Sequence, residues 1–141
     1  MAAFRFDTVL RIRESERDIC RMALAEAQRS EAELLAEHHR TSSERTDVLD
    51  ELRTMHQGVA WAPDRVASRQ QYAERLAAKL KGIECEMAVI AELLTHRRSA
   101  LMEADTAVKA LEKLAGRQLA DQQRTDQAAA ERDRDDHRRV A

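Results

Sequence analysis

Five histidines, two cysteines and one Ser-Ser pair are the residues of this chain whose types could do chemistry. His38 and His39 are neighbours, so on a helix their rings diverge by about 100° and cannot close on one ion. His56, His96 and His137 lack partners at i+3 or i+4 that complete a ligand set; Asp133 with His137 is only a pair. Zinc asks for three or four ligands. Cys20 and Cys85 stand apart, with no CxxC and no Cys/His spacing, which fits a reducing compartment. Ser42 and Ser43 lie beside His39, but a nucleophile needs a pocket that excludes water. The glycines Gly58, Gly82 and Gly116 are scattered, so no phosphate loop forms, and no HExxH occurs. The expectation is a protein with no catalytic residue, no metal and no cofactor: not an enzyme.

The elements that position these residues explain the absence. From Ala73 the slots Leu76, Leu80, Ile83, Met87, Ile90, Leu94, Arg97, Leu101, Ala104, Val108, Leu111 and Ala115 alternate in steps of three and four. All but Arg97 are apolar. Such a repeat, held over about six heptads, marks a supercoiling helix that needs an equally long partner. Upstream, Phe6, Val9, Leu10, Ile12, Ile19, Met22, Leu24, Leu34, Leu35, Val48, Leu49, Leu52 and Met55 recur at helical spacing, with Asp7 or Thr8 as cap. That pattern stops at residues 58–63, where Gly58 suits a C′ position and Pro63 with Asp64 suits the first turn of a new helix. A capping box at Ser68-Arg69-Gln70-Gln71 offers a second start. Trp61 sits at the tip, either as a partner anchor or as a cap on the last seam layer against Val59 and Val66.

The predicted fold is all-α: a long antiparallel two-helix coiled-coil hairpin with a polar C-terminal extension. Helix one covers about 7–57, the turn 58–63, helix two 64–118 and a charged overhang 119–141. One Pro and three Gly leave long helices uninterrupted, and 3% aromatic residues cannot fill a thick core. A net charge of −2 supplies no basic field, which argues against nucleic acid. No apolar stretch spans a bilayer and the N-terminus has no signal-like core, so a cytoplasmic protein without membrane insertion is expected.

Folded about residue 61, the hairpin sets Phe6 against Ala115, Leu10 against Leu111 and Leu34 against Met87 or Ala88. Between Leu35 and Val48 helix one has no large apolar residue, while helix two keeps its stripe at Leu76, Leu80 and Ile83. Either those aliphatics stay half-exposed for another surface to cover, or Arg45 and Glu37 lay their methylenes over them. Arg97 falls near Leu24, where Glu26 or Glu92 can pair with it and fix the register. Beyond Leu119 no large apolar residue occurs through Arg139, so the extension is a solvated single helix or a frayed tail.

Several stretches resemble the FliJ family, the coiled-coil component of the bacterial flagellar type III export apparatus. They are Phe4-Arg5-Phe6-Asp7 through Glu14, an Ala-rich run with Ala23, Ala25 and Ala27, and Tyr72-Ala73-Glu74-Arg75-Leu76. Leu111-Glu112-Lys113-Leu114 before Arg117-Gln118, then Glu131 and Asp135-Asp136, complete the match over nearly the whole chain. The resemblance implies a stalk-like subunit whose two-terminus end enters the hexameric export ATPase. It also implies docking on the membrane-embedded export gate from the cytoplasmic side, and contact with export chaperones. Carried over by position, the gate patch is Tyr72 and Leu76, which the uncovered seam extends to Leu80. Lys79 stands where the family patch has a small residue. The ATPase end is Leu111, Glu112, Lys113 and Leu114. A free monomer at the cytoplasmic face of the membrane is expected. The alternatives are the equivalent stalk of a virulence injectisome and a generic coiled-coil scaffold.

Overall fold

The computed structural model describes residues 4–58 and 62–140. Among them the chain is all-α: α1 spans Asp7–Gln57, α2 spans Pro63–Val140, and the two long helices pack together without any strand. The two roles weighed for Trp61, and its contact with Val59, lie outside the described residues.

Local chemistry sets the ends. The Asp7 N–H donates to the Phe4 carbonyl at 3.1 Å, and the Asp7 carboxylate sits in the first turn, paired with Arg11 at 3.1 Å. At the other end Gly58 follows Gln57 and donates to the Met55 carbonyl at 3.3 Å. Its φ is not positive, so the stop is a tightened turn rather than a left-handed cap. α2 starts on Pro63, whose missing N–H costs nothing in a first turn, with Asp64 favourable beside it.

The chain divides into two compact units. One is Ala23–Arg98 and contains the turn; the other joins Met1–Met22 to Ser99–Ala141.

In the Ala23–Arg98 unit the core is Val48, Leu52, Val66, Ala73 and Leu76, with Leu49, Met55 and Tyr72 packed against it. Of the two readings of this stretch of α2, the half-exposed one fails at Leu76 and Ile83. Leu76 and Ile83 are each 5% exposed, and Leu80 is half-buried. The reason lies in α1. Its buried and half-buried positions Leu24, Ala27, Glu31, Leu34, His38, Thr41, Arg45, Val48, Leu52 and Met55 keep strict steps of three and four. The heptad never breaks; it changes residue type. Thr41 is 3% exposed, His38 Nε2 reaches Glu84 Oε1 at 3.2 Å, and Arg45 buries its Nε. These stems cover the aliphatic stripe that their polar character suggested was bare. His38 with Glu84 falls on the predicted register. Arg97 donates from Nη1 to the Ala23 carbonyl and approaches Glu26 at 4.0 Å, so Glu26, not Glu92, is its carboxylate partner.

In the unit of both termini, Val108 is fully buried, and Leu10, Leu101, Ala104, Leu111, Ala115 and Gln118 are half-buried. The Arg5 N–H donates to Gln118 Oε1 at 3.2 Å. Asp105 pairs with Lys109 at 3.0 Å. That contact, reinforced by the fields of Arg17 and Arg21, holds the Asp105 carboxyl below its ordinary range against the opposing effect of desolvation. α2 continues as helix through the extension, and residues 123–140 are exposed throughout.

Candidate functional site

The residues expected at a gate patch have different fates. Tyr72 is half-buried against the seam core, with its hydroxyl donating to the Glu44 carboxylate. This bond, with desolvation and the charge of Glu44 behind it, raises the Tyr72 pKa above its ordinary value. Leu76 lies one turn further on and inward, covered by α1. Leu80 is intermediate. Tyr72 and Leu80 are thus the partly exposed members of the patch, and Tyr72 lies within a row of polar pairs. Glu51 meets Arg69 at 3.4 Å and Arg65 at 3.9 Å, and Glu37 meets Lys79 at 3.5 Å. Lys79 thus has a structural partner on α1.

At the other expected site, Leu111 is half-buried in the seam, while Glu112, Lys113 and Leu114 point outward, Leu114 being 42% exposed. The same unit exposes Phe6 just before α1, Val9, Ile12, Ile19 and Met22 on α1, and Met102 and Leu119 on α2. The Phe4 and Phe6 rings meet edge to face at 5.9 Å, and the Arg5 guanidinium lies 5.5 Å from the Phe6 centroid.

The sequence reading placed Val9, Ile12, Ile19 and Met22 with the residues that build the hairpin; the structure turns them to solvent. The signal was there. Leu10, Arg17 and Leu24 repeat every seven residues, and Ile12 and Ile19 repeat at the same interval two positions out of phase. An offset of two residues turns the second stripe about 200° round the helix from the first, so the two cannot both face one partner.

Among the described residues no three His, Cys, Asp or Glu side chains gather to hold a metal ion. Cys20 is a half-buried thiol and Cys85 an exposed one. No helix among the described residues is long and apolar enough to cross a membrane.

No curated protein and no solved structure matches the chain. A family model described as the flagellar FliJ protein matches residues 1–140. With a two-helix fold and a match of that extent, the chain belongs to the FliJ family and is a flagellar export-related component.

Proposed function

We propose that this chain works without catalysis, as the stalk of the flagellar export apparatus. In this reading the unit carrying both termini enters the export ATPase hexamer, and the Tyr72 face contacts the export gate. One observation carries it. The unit of both termini leaves large apolar side chains exposed at Phe6, Val9, Ile12, Ile19, Leu114 and Leu119, and continues into a helix that buries nothing. Val9, Ile12 and Ile19 share one side of α1 by helical spacing, and an exposed apolar stripe of that kind is what a partner covers. A ring that closes around both helices would do so. The protein would then be a free monomer when unbound, held at the cytoplasmic face of the membrane through the apparatus, and in reach of export chaperones. The family match favours the flagellar system over its injectisome counterpart.

Pull-down with the cognate export ATPase tests the stalk. Full-length protein is expected to bind, and removal of residues 119–141 together with the first dozen is expected to abolish binding. Unchanged retention of the truncated chain refutes the assignment. For the gate, Tyr72→Ala disturbs the seam less than a change at Leu76, because Tyr72 is half-buried and Leu76 buried. Leu76→Ala also empties a buried site, which costs about 2–5 kcal/mol of stability. Weaker gate binding by Tyr72→Ala at unaltered helicity supports the patch, and equal affinity removes it.

A further inference from the structure

On the Ala23–Arg98 unit, polar pairs between the helices climb in heptad steps. Glu51 lies with Arg65, Glu44 with Tyr72, and Glu37 with Lys79. On each rung α1 supplies a carboxylate and α2 a donor. Seven residues further along each helix the rung would be Ser30 with Glu86, and the pattern fails. There α2 turns acidic, and α1 adds Glu33 one turn from Glu37. Among the described residues neither Glu33 nor Glu86 forms an ion pair.

Where the ladder fails, a groove of about 530 Å³ opens between residues 30–37 of α1 and 85–90 of α2. Its floor is apolar: Leu34 and Ile90 are half-buried, and Val89 is 65% exposed. Glu33 and Glu86 edge it from opposite helices. One turn before Glu86 stands Gly82, where an added Cβ meets nothing within 4 Å and φ is not positive. Among the described residues nothing requires glycine there.

We propose that this groove docks an amphipathic helix of another protein, one that carries Lys or Arg along both flanks of its apolar stripe. The volume would suit a small ligand. Two helices, however, provide a floor and two rims with no further wall, so the occupant must bring its own cover. A helix does this by laying its apolar face into the groove. The charge it must carry follows from the rungs. Where α2 offers Arg65 or Lys79, the carboxylates of α1 are answered inside the chain. Where it offers Glu86, the cations must come from the partner, and an acidic or neutral helix would leave the rim unanswered. The site is separate from the ATPase end and from Tyr72, and it does not depend on either assignment.

The probe is a fluorophore-labelled leucine–lysine amphipathic peptide of about five helical turns, with a leucine–glutamate peptide of the same pattern as control. Anisotropy is read against the full chain. The lysine peptide is expected to saturate and the glutamate peptide not to bind. Val89→Ser, and Glu33→Lys combined with Glu86→Lys, should each weaken the lysine peptide by about tenfold or more at unchanged thermal melting. Asp133→Lys with Asp135→Lys, which makes the same change of charge on the extension, should leave affinity within about twofold. Tyr72→Ala should also leave it, and the groove variants should still retain the export ATPase. The proposal is overturned if neither peptide binds, if both bind, or if the extension variant weakens binding as much as the groove variants. It is equally overturned if light scattering shows a dimer of this chain that Val89→Ser dissociates, since the occupant would then be a second copy.

Discussion

Tyr72 is the only tyrosine of the chain, so its ionisation can be followed without assignment. Its hydroxyl donates to the Glu44 carboxylate, which raises the pKa first through that bond and then through desolvation and charge. The folded chain therefore holds this proton more tightly than the unfolded chain does. The contribution to stability is complete below the ordinary phenol value of about 10 and is lost as pH rises through the raised value. Titration of tyrosinate absorbance should give a midpoint above that of free tyrosine, and Glu44→Ala should return it toward the ordinary value. A wild-type midpoint at the ordinary value would mean that the hydroxyl is not engaged in solution. The same contact bears on the gate reading, because a partner that takes the Tyr72 hydroxyl must displace Glu44. Arg45 and Arg17 are the costlier residues. Each buries a guanidinium Nε with no hydrogen-bond partner, while the methylene stem of Arg45 closes the seam over the stripe.

At the scale of the helices, α2 carries two glycines that the fold does not use. Neither Gly82 nor Gly116 has positive φ, and a Cβ at either would meet nothing within 4 Å. In a helix interior glycine costs about 1 kcal/mol against alanine, mostly through the entropy of the unfolded chain. Gly82→Ala and Gly116→Ala should each raise stability by up to that amount in thermal or urea melts. A fall for either would reveal a close approach made only in solution, and Gly82→Ala would then place it at the groove. The helices themselves were legible in the sequence because Gly58 and Pro63 come close together at one place only and the α2 repeat is nearly all apolar. The inner face of α1 was harder to read. Between Leu34 and Val48 the seam is built from His38, Thr41 and Arg45, which hydropathy takes for surface while their spacing keeps the heptad. The unbroken spacing of these residues, not their type, closes the apparent gap and buries Leu76. At the unit of both termini the converse holds: Val9, Ile12 and Ile19 are apolar by type, yet their phase turns them outward. Charge rungs such as Glu37 with Lys79 depend on cross-helix pairing, so no reading of one helix alone contains them.

Across the whole molecule, burial is uneven along α2. Leu94 and Val108 are 1% and 0% exposed, while every residue from 123 to 140 is exposed. A helix of that length without a buried face is marginal in water, because each added hydrogen bond barely offsets the backbone entropy it fixes. What holds it is local: Asp121 with Arg124 at 3.9 Å, and the Asp133 carbonyl with His137 Nδ1 at 2.9 Å. Exposed pairs of this kind are worth a few tenths of a kcal/mol each and weaken in salt. Ending the chain after Gln122 should therefore remove helical circular dichroism roughly in proportion to the residues lost while leaving the melting midpoint where it was. Hydrogen exchange should find the amides of 123–140 nearly unprotected and those around Leu94 and Val108 slowest. Binding to the export ATPase should then slow exchange in the extension, since the stalk reading requires a partner to bury it. If the free chain already protects those amides as well as it protects Val108, something covers the extension in solution. The candidate would be a second copy, and the monomeric stalk would give way to a coiled-coil dimer.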